Sequence, residues 1–279
     1  VDVVAGTDHK ITYSYFSGGD NDGLLQYVKV YKSTTTTDAN FIGQIEHVYH
    51  SSTVDAYGLE DDLMKVIVTR KATADADGTL SIEETTSYRY YKGTYDASTN
   101  PGTDHQIRYV LLPENRQRLT DEVGAADSQT NASWESYANV FYKYDSSSRA
   151  SFTDERLPGG SCGCGAGGNA ASTTYTWSVN GSNPDVDTWK VHLVADREDD
   201  SRVIADFTRT FQVLTWVVQD QDDGTPTIEN IWHFDYGTSG DTENRLTAAH
   251  LPSACSDYDE SSPYGVTLRS AAGVIYTAE

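Results

Sequence analysis

The sequence predicts an all-β fold of antiparallel hairpins and meanders that form an extended sheet or shell-like wrap, on three observations. Apolar and polar residues alternate with period two, the mark of half-buried strands. Trp189, Val191 and Leu193 share one parity, with Lys190 and His192 on the other; Ile228, Trp232, Phe234 and Tyr236 likewise oppose His233 and Asp235, and Ile45, His47 and Tyr49 form a shorter run. The pairs Asp22-Gly23, Asp77-Gly78, Asp223-Gly224 and Asn180-Gly181 suit the positive φ angles of tight hairpin turns, so strand, turn, strand recurs. No twelve-residue run combines helical periodicity with caps at both ends. Gly58–Lys65 reads as a short helix or as a turn entering a strand over Met64–Thr69, and the turn is favoured. Phe211–Val218 is apolar on both parities and is expected to be the most buried strand, while the polar stretch Asn115–Asn131 reads as a long loop.

A chain of 279 residues is long enough for a sizeable core, with a prior of about two domains. Leu157–Gly168 holds six glycines in twelve residues, too costly in entropy for a regular strand or helix. It divides the chain into an N-terminal β region at 1–156, a connector at 157–170 and a C-terminal β region at 171–279. The net charge of −22 repels phosphate backbones and anionic lipid, which argues against nucleic acid and membrane surfaces as partners. No window approaches the ~20 apolar residues of a membrane span. The first residue is Val, as in a processed product or an excised piece.

The candidate chemistry is sparse, and no catalytic site or enzyme activity is expected. Gly159–Gly163 fits the Gly-x-Ser-x-Gly pattern of hydrolases but lies in glycine-rich coil rather than between a strand and a helix. Cys162, Cys164 and Cys255 leave three outcomes open: a disulfide from Cys255 to one of the others, free thiols, or a soft-metal site. Asp20 and Asp22, Asp75 and Asp77, and Asp220 and Asp222 precede glycines as the first ligands of calcium loops do, although none continues to a glutamate at the twelfth position. They read first as hairpin turns. Of the histidines, only His47 and His50 are close in sequence, and on a strand they face opposite sides. Asn131-Ala-Ser133 and Asn180-Gly-Ser182 are sequons for N-glycosylation. The aromatic residues pack in the core or across strands, or else stack on glycans as in a carbohydrate-binding or adhesive domain.

Internal similarity is present. Gly6–Tyr13 returns as Gly102–Tyr109, and Tyr142-Lys143-Tyr144-Asp145 with Ser148-Arg149 parallels Phe234-Asp235-Tyr236 with Asn244-Arg245-Leu246-Thr247. Each member of the second pair then reaches a Leu-Pro step and a cysteine. These residues resemble the Rhs/YD-repeat family, whose motif runs roughly Tyr-x-Tyr-Asp, two residues, Gly, Asn or Arg, Leu, Thr. Ser148 stands where that motif has glycine and Ala150 where it has leucine. Tyr15, Tyr49, Tyr91, Tyr144 and Tyr236 are the candidate anchors.

The resemblance implies one β-hairpin per repeat and a secreted or cell-surface location. It also implies a structural role, with a chain too short to close a full shell. Hairpin repeats leave strand edges unpaired, and contacts between copies that do not close give filaments. Self-association is therefore the expected partner interaction. Gly273–Thr277 is either a pairing edge for another copy or the last strand of its own sheet.

Overall fold

The computed structural model describes residues 9–32, 34–37, 40–51, 55–71, 80–156, 170–182, 189–220, 227–240, 243–261, 263, 265–269 and 274–277. The chain divides into two compact units, Val1–Ala150 with Asp154–Ala170, and Ser151–Thr153 with Ala171–Glu279. The described residues are mostly strand, and consecutive strands pair antiparallel, so the all-β meander stands.

The first unit carries β1 (Lys10–Tyr15), β2 (Leu25–Tyr31), β3 (Phe41–Tyr49), β4 (Leu63–Lys71), β5 (Leu80–Tyr90), β6 (Ile107–Leu111), β7 (Val140–Tyr144) and β8 (Ala150–Arg156), adjacent in chain order. The second unit, which takes Ser151–Thr153 of β8, carries β9 (Ala170–Val179), β10 (Val191–Arg197), β11 (Ser201–Phe207), β12 (Val213–Asp220), β13 (Thr227–Tyr236) and β14 (Leu246–His250), with β17 (Val274–Thr277) beside β14. A separate hairpin pairs β15 (Cys255–Asp259) with β16 (Gly265–Leu268). Thus β17 completes its own sheet, the second of the two alternatives for that segment.

Each passage from an odd-numbered strand to the next, from β1 to β14, is closed by a backbone bond. In the first unit, the N–H groups of Phe16, His50, Tyr91 and Asp145 donate to the carbonyls of Leu24, Asp62, Gln106 and Arg149 at 2.8–2.9 Å. In the second, Asn180, Thr208 and Gly237 donate to Lys190, Gln212 and Arg245 at 2.8–3.0 Å. All but the Asn180 closure place the residue before the acceptor at positive φ: Gly23, Asp61, His105, Ser148, Phe211 and Asn244, with φ between 60° and 83°. The ladder slips by a bulge just before Tyr15, Tyr49, Tyr90, Phe207 and Tyr236. In each case the extra residue belongs to the strand after the turn (Gln26, Met64, Arg108, Leu214 and Thr247), and a left-handed turn followed by such a bulge increases the local twist that lets the chain double back.

Tyrosines lock these turns to the neighbouring hairpin. The hydroxyls of Tyr49, Tyr90, Tyr144 and Tyr236, each the last residue of its strand, donate to the carbonyls of Leu25, Leu63, Ile107 and Val213, each the first residue of the preceding strand, at 2.9–3.1 Å. Burial raises all four phenol pKa values, that of Tyr144 to about 12, so the groups stay protonated donors. The anchor in β5 is therefore Tyr90 rather than Tyr91. Tyr91 is buried, donates to the Tyr142 carbonyl and lies against Gly102, where a Cβ would come within 2.2 Å of its ring. The turns within Tyr142–Arg149 and Phe234–Arg245 close alike, with Ser148 and Asn244 both left-handed. The Gly6 and Gly102 copies are not equivalent: Ile107 opens β6, whereas Ile11 lies inside β1, and residues 6–8 fall outside the described residues.

Other expectations are corrected. Asn115–Asn131 is not a loop: α1 (Pro113–Glu122), a 3-10 turn at Ala126–Ser128 and α2 (Asn131–Tyr137) occupy the region. Pro113 starts α1, where its missing N–H costs nothing, and Thr130 caps α2 through a bond from the Ser133 N–H. Asn180-Gly181 is not a two-residue turn, because Val179 pairs with Val191 and the connection runs over 180–190. Asp22-Gly23 sits in a longer loop between Tyr15 and Leu25, and Asp77-Gly78 and Asp223-Gly224 lie outside the described residues. Gly58–Lys65 is a turn leading into β4, as favoured. Phe211 lies outside β12, is 73% exposed and is left-handed.

Tyr90→Phe leaves the Leu63 carbonyl without its phenolic donor and should lower stability by about 0.5–1.5 kcal/mol in urea unfolding, with Tyr13→Phe on exposed β1 near zero. Phe211→Gly removes the left-handed penalty on a bulky side chain and should raise stability by about 1 kcal/mol. Unchanged midpoints for both would refute this account of the turns.

Candidate functional site

The outer strands of the first unit are amphipathic. Register aligns Tyr13, Val28, Ile45 and Val68 in one row across β1–β4, and Thr12, Lys29, Gln44, Thr69 and Glu83 in another across β1–β5. Period-two alternation puts these rows on opposite faces. The apolar row is incompletely covered: Tyr13 is 59% exposed and Ile45 37%. Ile11 and Tyr15, on the same side of β1 as Tyr13, are exposed too. Among the described residues β1 pairs only with β2, so its second edge offers unpaired backbone groups beside exposed aromatic surface.

Elsewhere in this unit, Arg89 is 2% exposed and lies between the rings of Tyr57 and Trp134, its guanidinium carbon 3.4 and 4.1 Å from their centroids. It donates to the Asn131 side chain and the Gln129 carbonyl. Burial brings its pKa down to about 10, so the group remains a cation at neutral pH. This stack ties α2 to β5.

In the second unit the covered face is partly polar. His192, Asp206, Thr215, His233 and His250 stand directly opposite one another across β10–β14, and all are buried. Two residues along runs an apolar row, Val194, Ile204, Val217 and Ile231, beneath Cys255, Tyr258 and Val266 of the β15–β16 hairpin. Asp206 meets His192 Nδ1 at 2.7 Å and accepts from the Tyr258 hydroxyl at 2.8 Å. The two oxygens of Asp235 meet His233 Nε2 and His250 Nε2 at 3.1 and 2.8 Å. Arg202 binds Glu260 with two nitrogens, at 2.6 and 2.7 Å. The hairpin is thus pinned at Asp206 and at Arg202, with apolar contact between.

The alternation expected in β13 holds, but the covered side is that of Ile231 and His233. The opposite side carries an open groove of about 330 Å³ lined by Val213, Trp216, Trp232 and Phe234. Trp216 and Trp232 are direct cross-strand partners.

The remaining sequence candidates are dispersed. Cys255, the first residue of β15, is buried against the apolar row, while Cys162, Cys164 and the Gly159–Gly163 motif lie outside the described residues. Asp22 accepts the Gly18 N–H at 2.7 Å as a turn residue, with Asp20 in the same loop. Asp220 ends β12, and Asp75, Asp77 and Asp222 fall outside the described residues. Among the described residues no three His, Cys, Asp or Glu side chains converge to hold a metal. His47 lies in β3, and buried His50 meets Asp55 at 2.7 Å. The polar row was missed because its members are far apart in sequence; the alternate spacing of His233 with Asp235 was its only local signal.

Tyr258→Phe leaves a buried Asp206 oxygen without its phenolic donor and should cost about 1–3 kcal/mol, with faster amide exchange in β15–β16. The pH response follows from His233. Burial, then the nearby His250, holds its imidazole below the ordinary value, with Asp235 opposing. The unfolded chain therefore binds the proton more readily, and this contribution to stability, complete above about pH 6.5, falls as the solution is acidified towards the folded pKa. Urea midpoints at pH 7.5 and 5.5 should differ less in His233→Asn than in the parent. Compared with known proteins, the chain matches no family model and no curated sequence.

Proposed function

We propose that the chain is a structural protein of YD-repeat type that works outside the cell or at its surface. It associates with copies of itself through strand edges rather than catalysing a reaction. The observation that carries this reading is β1, an outer strand with Ile11, Tyr13 and Tyr15 all exposed on one side. A strand from another copy that pairs there gains backbone hydrogen bonds of about 0.5–1.5 kcal/mol each and covers the aromatic row. Recurring closures at Tyr49, Tyr90, Tyr144 and Tyr236 support the repeat character, and Tyr144-Asp145 with Ser148-Arg149 occupies one of them at the residues that carry the family resemblance.

The −22 charge opposes association, so salt or calcium should promote it. Light scattering from about 0.01 M to about 1 M salt, over which the Debye length falls from about 30 Å to about 3 Å, should detect growing assemblies. The double variant Ile11→Glu, Tyr13→Glu should remain monomeric with an unchanged far-ultraviolet circular dichroism spectrum. A parent chain that stays monomeric throughout would refute the proposal.

A second reading, a carbohydrate-binding or adhesive domain, is favoured by one feature: the uncharged groove between Trp216, Trp232 and Phe234. Ring faces there suit the apolar side of a neutral sugar. Tryptophan fluorescence that responds to neutral oligosaccharides, and loses the response in Trp216→Ala, would favour it over assembly.

A further inference from the structure

The two sequons are in unlike settings. Asn131 is the first residue of α2, and Ser133 is two residues along the same helix. At about 100° per residue, side chains two apart point to nearly opposite sides of a helix. Ser133 donates its backbone N–H to Thr130 and its hydroxyl lies 3.3 Å from that of Thr130, while the Asn131 oxygen accepts from buried Arg89. An enzyme that must engage the carboxamide and the hydroxyl together cannot reach both.

Asn180 and Ser182 present the two groups side by side. The Ser182 hydroxyl donates to the Asn180 side-chain oxygen at 2.7 Å and its N–H donates to the same oxygen at 3.1 Å. Gly181 and Ser182 are exposed, and a Cβ on Gly181 would meet nothing within 4 Å. The turn is held in place: Lys190 Nζ donates to the carbonyls of Asn180 and Ser182, and the Asn180 N–H closes on the Lys190 carbonyl. Among the described residues the Asn180 carboxamide nitrogen makes one bond, to the Trp189 carbonyl at 3.3 Å. A carboxamide NH₂ has two hydrogens, so one N–H remains for that bond after substitution.

We propose that Asn180 is an acceptor of an N-linked glycan in the folded protein and that Asn131 is closed to modification. The donor is a lipid pyrophosphate-linked oligosaccharide. The Asn180 Nδ2 forms a bond to the anomeric carbon as the bond from that carbon to the pyrophosphate oxygen breaks. Nδ2 gives up one proton, and the lipid pyrophosphate departs. In the cell this rests on the extracellular location proposed above; the acceptor chemistry itself does not.

The test uses the full chain, a purified oligosaccharyltransferase able to act on folded acceptors, and the lipid-linked donor, with sites mapped by mass spectrometry. A carrier peptide containing a sequon, added to each reaction, reports transferase activity. The native chain should be modified at Asn180 and not at Asn131. After unfolding in urea and dilution into the assay, Asn131 should become modified as well. Ser182→Ala should abolish modification at Asn180 while circular dichroism is unchanged. A modified carrier with bare Asn180 in the native chain would overturn the proposal, as would equal occupancy of Asn131 and Asn180 in the native chain. Either result leaves the self-association proposal standing, because light scattering tests that separately.

Discussion

One backbone hydrogen bond, from the residue after an odd strand to the residue before the next, governs each hairpin end on which the remaining structure depends. It recurs from Phe16 to Gly237 with nearly constant length, although the loops it closes range from the short Asp145–Arg149 turn to the long connection between Tyr91 and Gln106. A bond of this kind contributes about 0.5–1.5 kcal/mol net. Its larger effect is geometric. By closing at the strand ends it isolates the loop from the ladder, so insertions leave the register untouched, and loop length costs little entropy once closure is made. Asp145 adds a local brace by accepting from Ser147 and Arg149 in one of the two tightest of these turns.

The tyrosine locks turn separate hairpins into a coupled series. Tyr49 reaches the carbonyl of Leu25, and Leu25 is itself paired with Tyr15; Tyr90 reaches Leu63, which is paired with Tyr49. Each phenol therefore spans a junction that the preceding turn has formed. Stability in such an arrangement resembles a sum over units and their nearest-neighbour contacts. The second unit adds a different device, the β15–β16 hairpin laid over one sheet face. A polar row on this face would be costly if unsatisfied; His192, Asp206, Tyr258, His233, Asp235 and His250 meet one another at hydrogen-bond distances, while the buried Thr215 hydroxyl has no partner among the described residues. A slip of one residue in β11 would carry Asp206 to the opposite face and lose both of its partners, so the polar row specifies register where apolar contacts alone would tolerate an error.

Much of the fold was legible in the sequence because strand alternation is local. The parity of β13 and the equivalence of Tyr144 with Tyr236 could be read directly. What failed had physical causes. α1 and α2 carry few apolar residues and are held by Leu119, Trp134 and the stacked Arg89 rather than by a continuous apolar stripe, so helical periodicity is faint. Which face of β13 is covered depends on a hairpin more than twenty residues later in the chain, and alternation gives two faces without saying which is inside. Tyr90 and Tyr91 are adjacent, and alternation alone does not say which of them reaches the Leu63 carbonyl; it is Tyr90, the last residue of β5. The exposed side of β1 was not singled out, because Ile11, Tyr13 and Tyr15 read like any other alternating strand.

The slight side-chain likeness among these turns has the same origin. In six of the seven closures the position before the acceptor is left-handed, and that is a demand on the backbone rather than on a side chain. Glycine meets it at least cost, and asparagine and aspartate tolerate it well. Here the position holds Gly23, Asp61, His105, Ser148, Phe211 and Asn244, six different choices at one geometry. The closing bond uses N–H and C=O, which nearly every residue supplies. The phenolic lock requires tyrosine, yet its acceptor is again a backbone carbonyl, so Leu25, Leu63, Ile107 and Val213 need only be suitable first residues of a strand. Turns defined by main-chain conformation can therefore share a geometry with little side-chain likeness, and tyrosine is the side chain that four of these strand ends use as a donor.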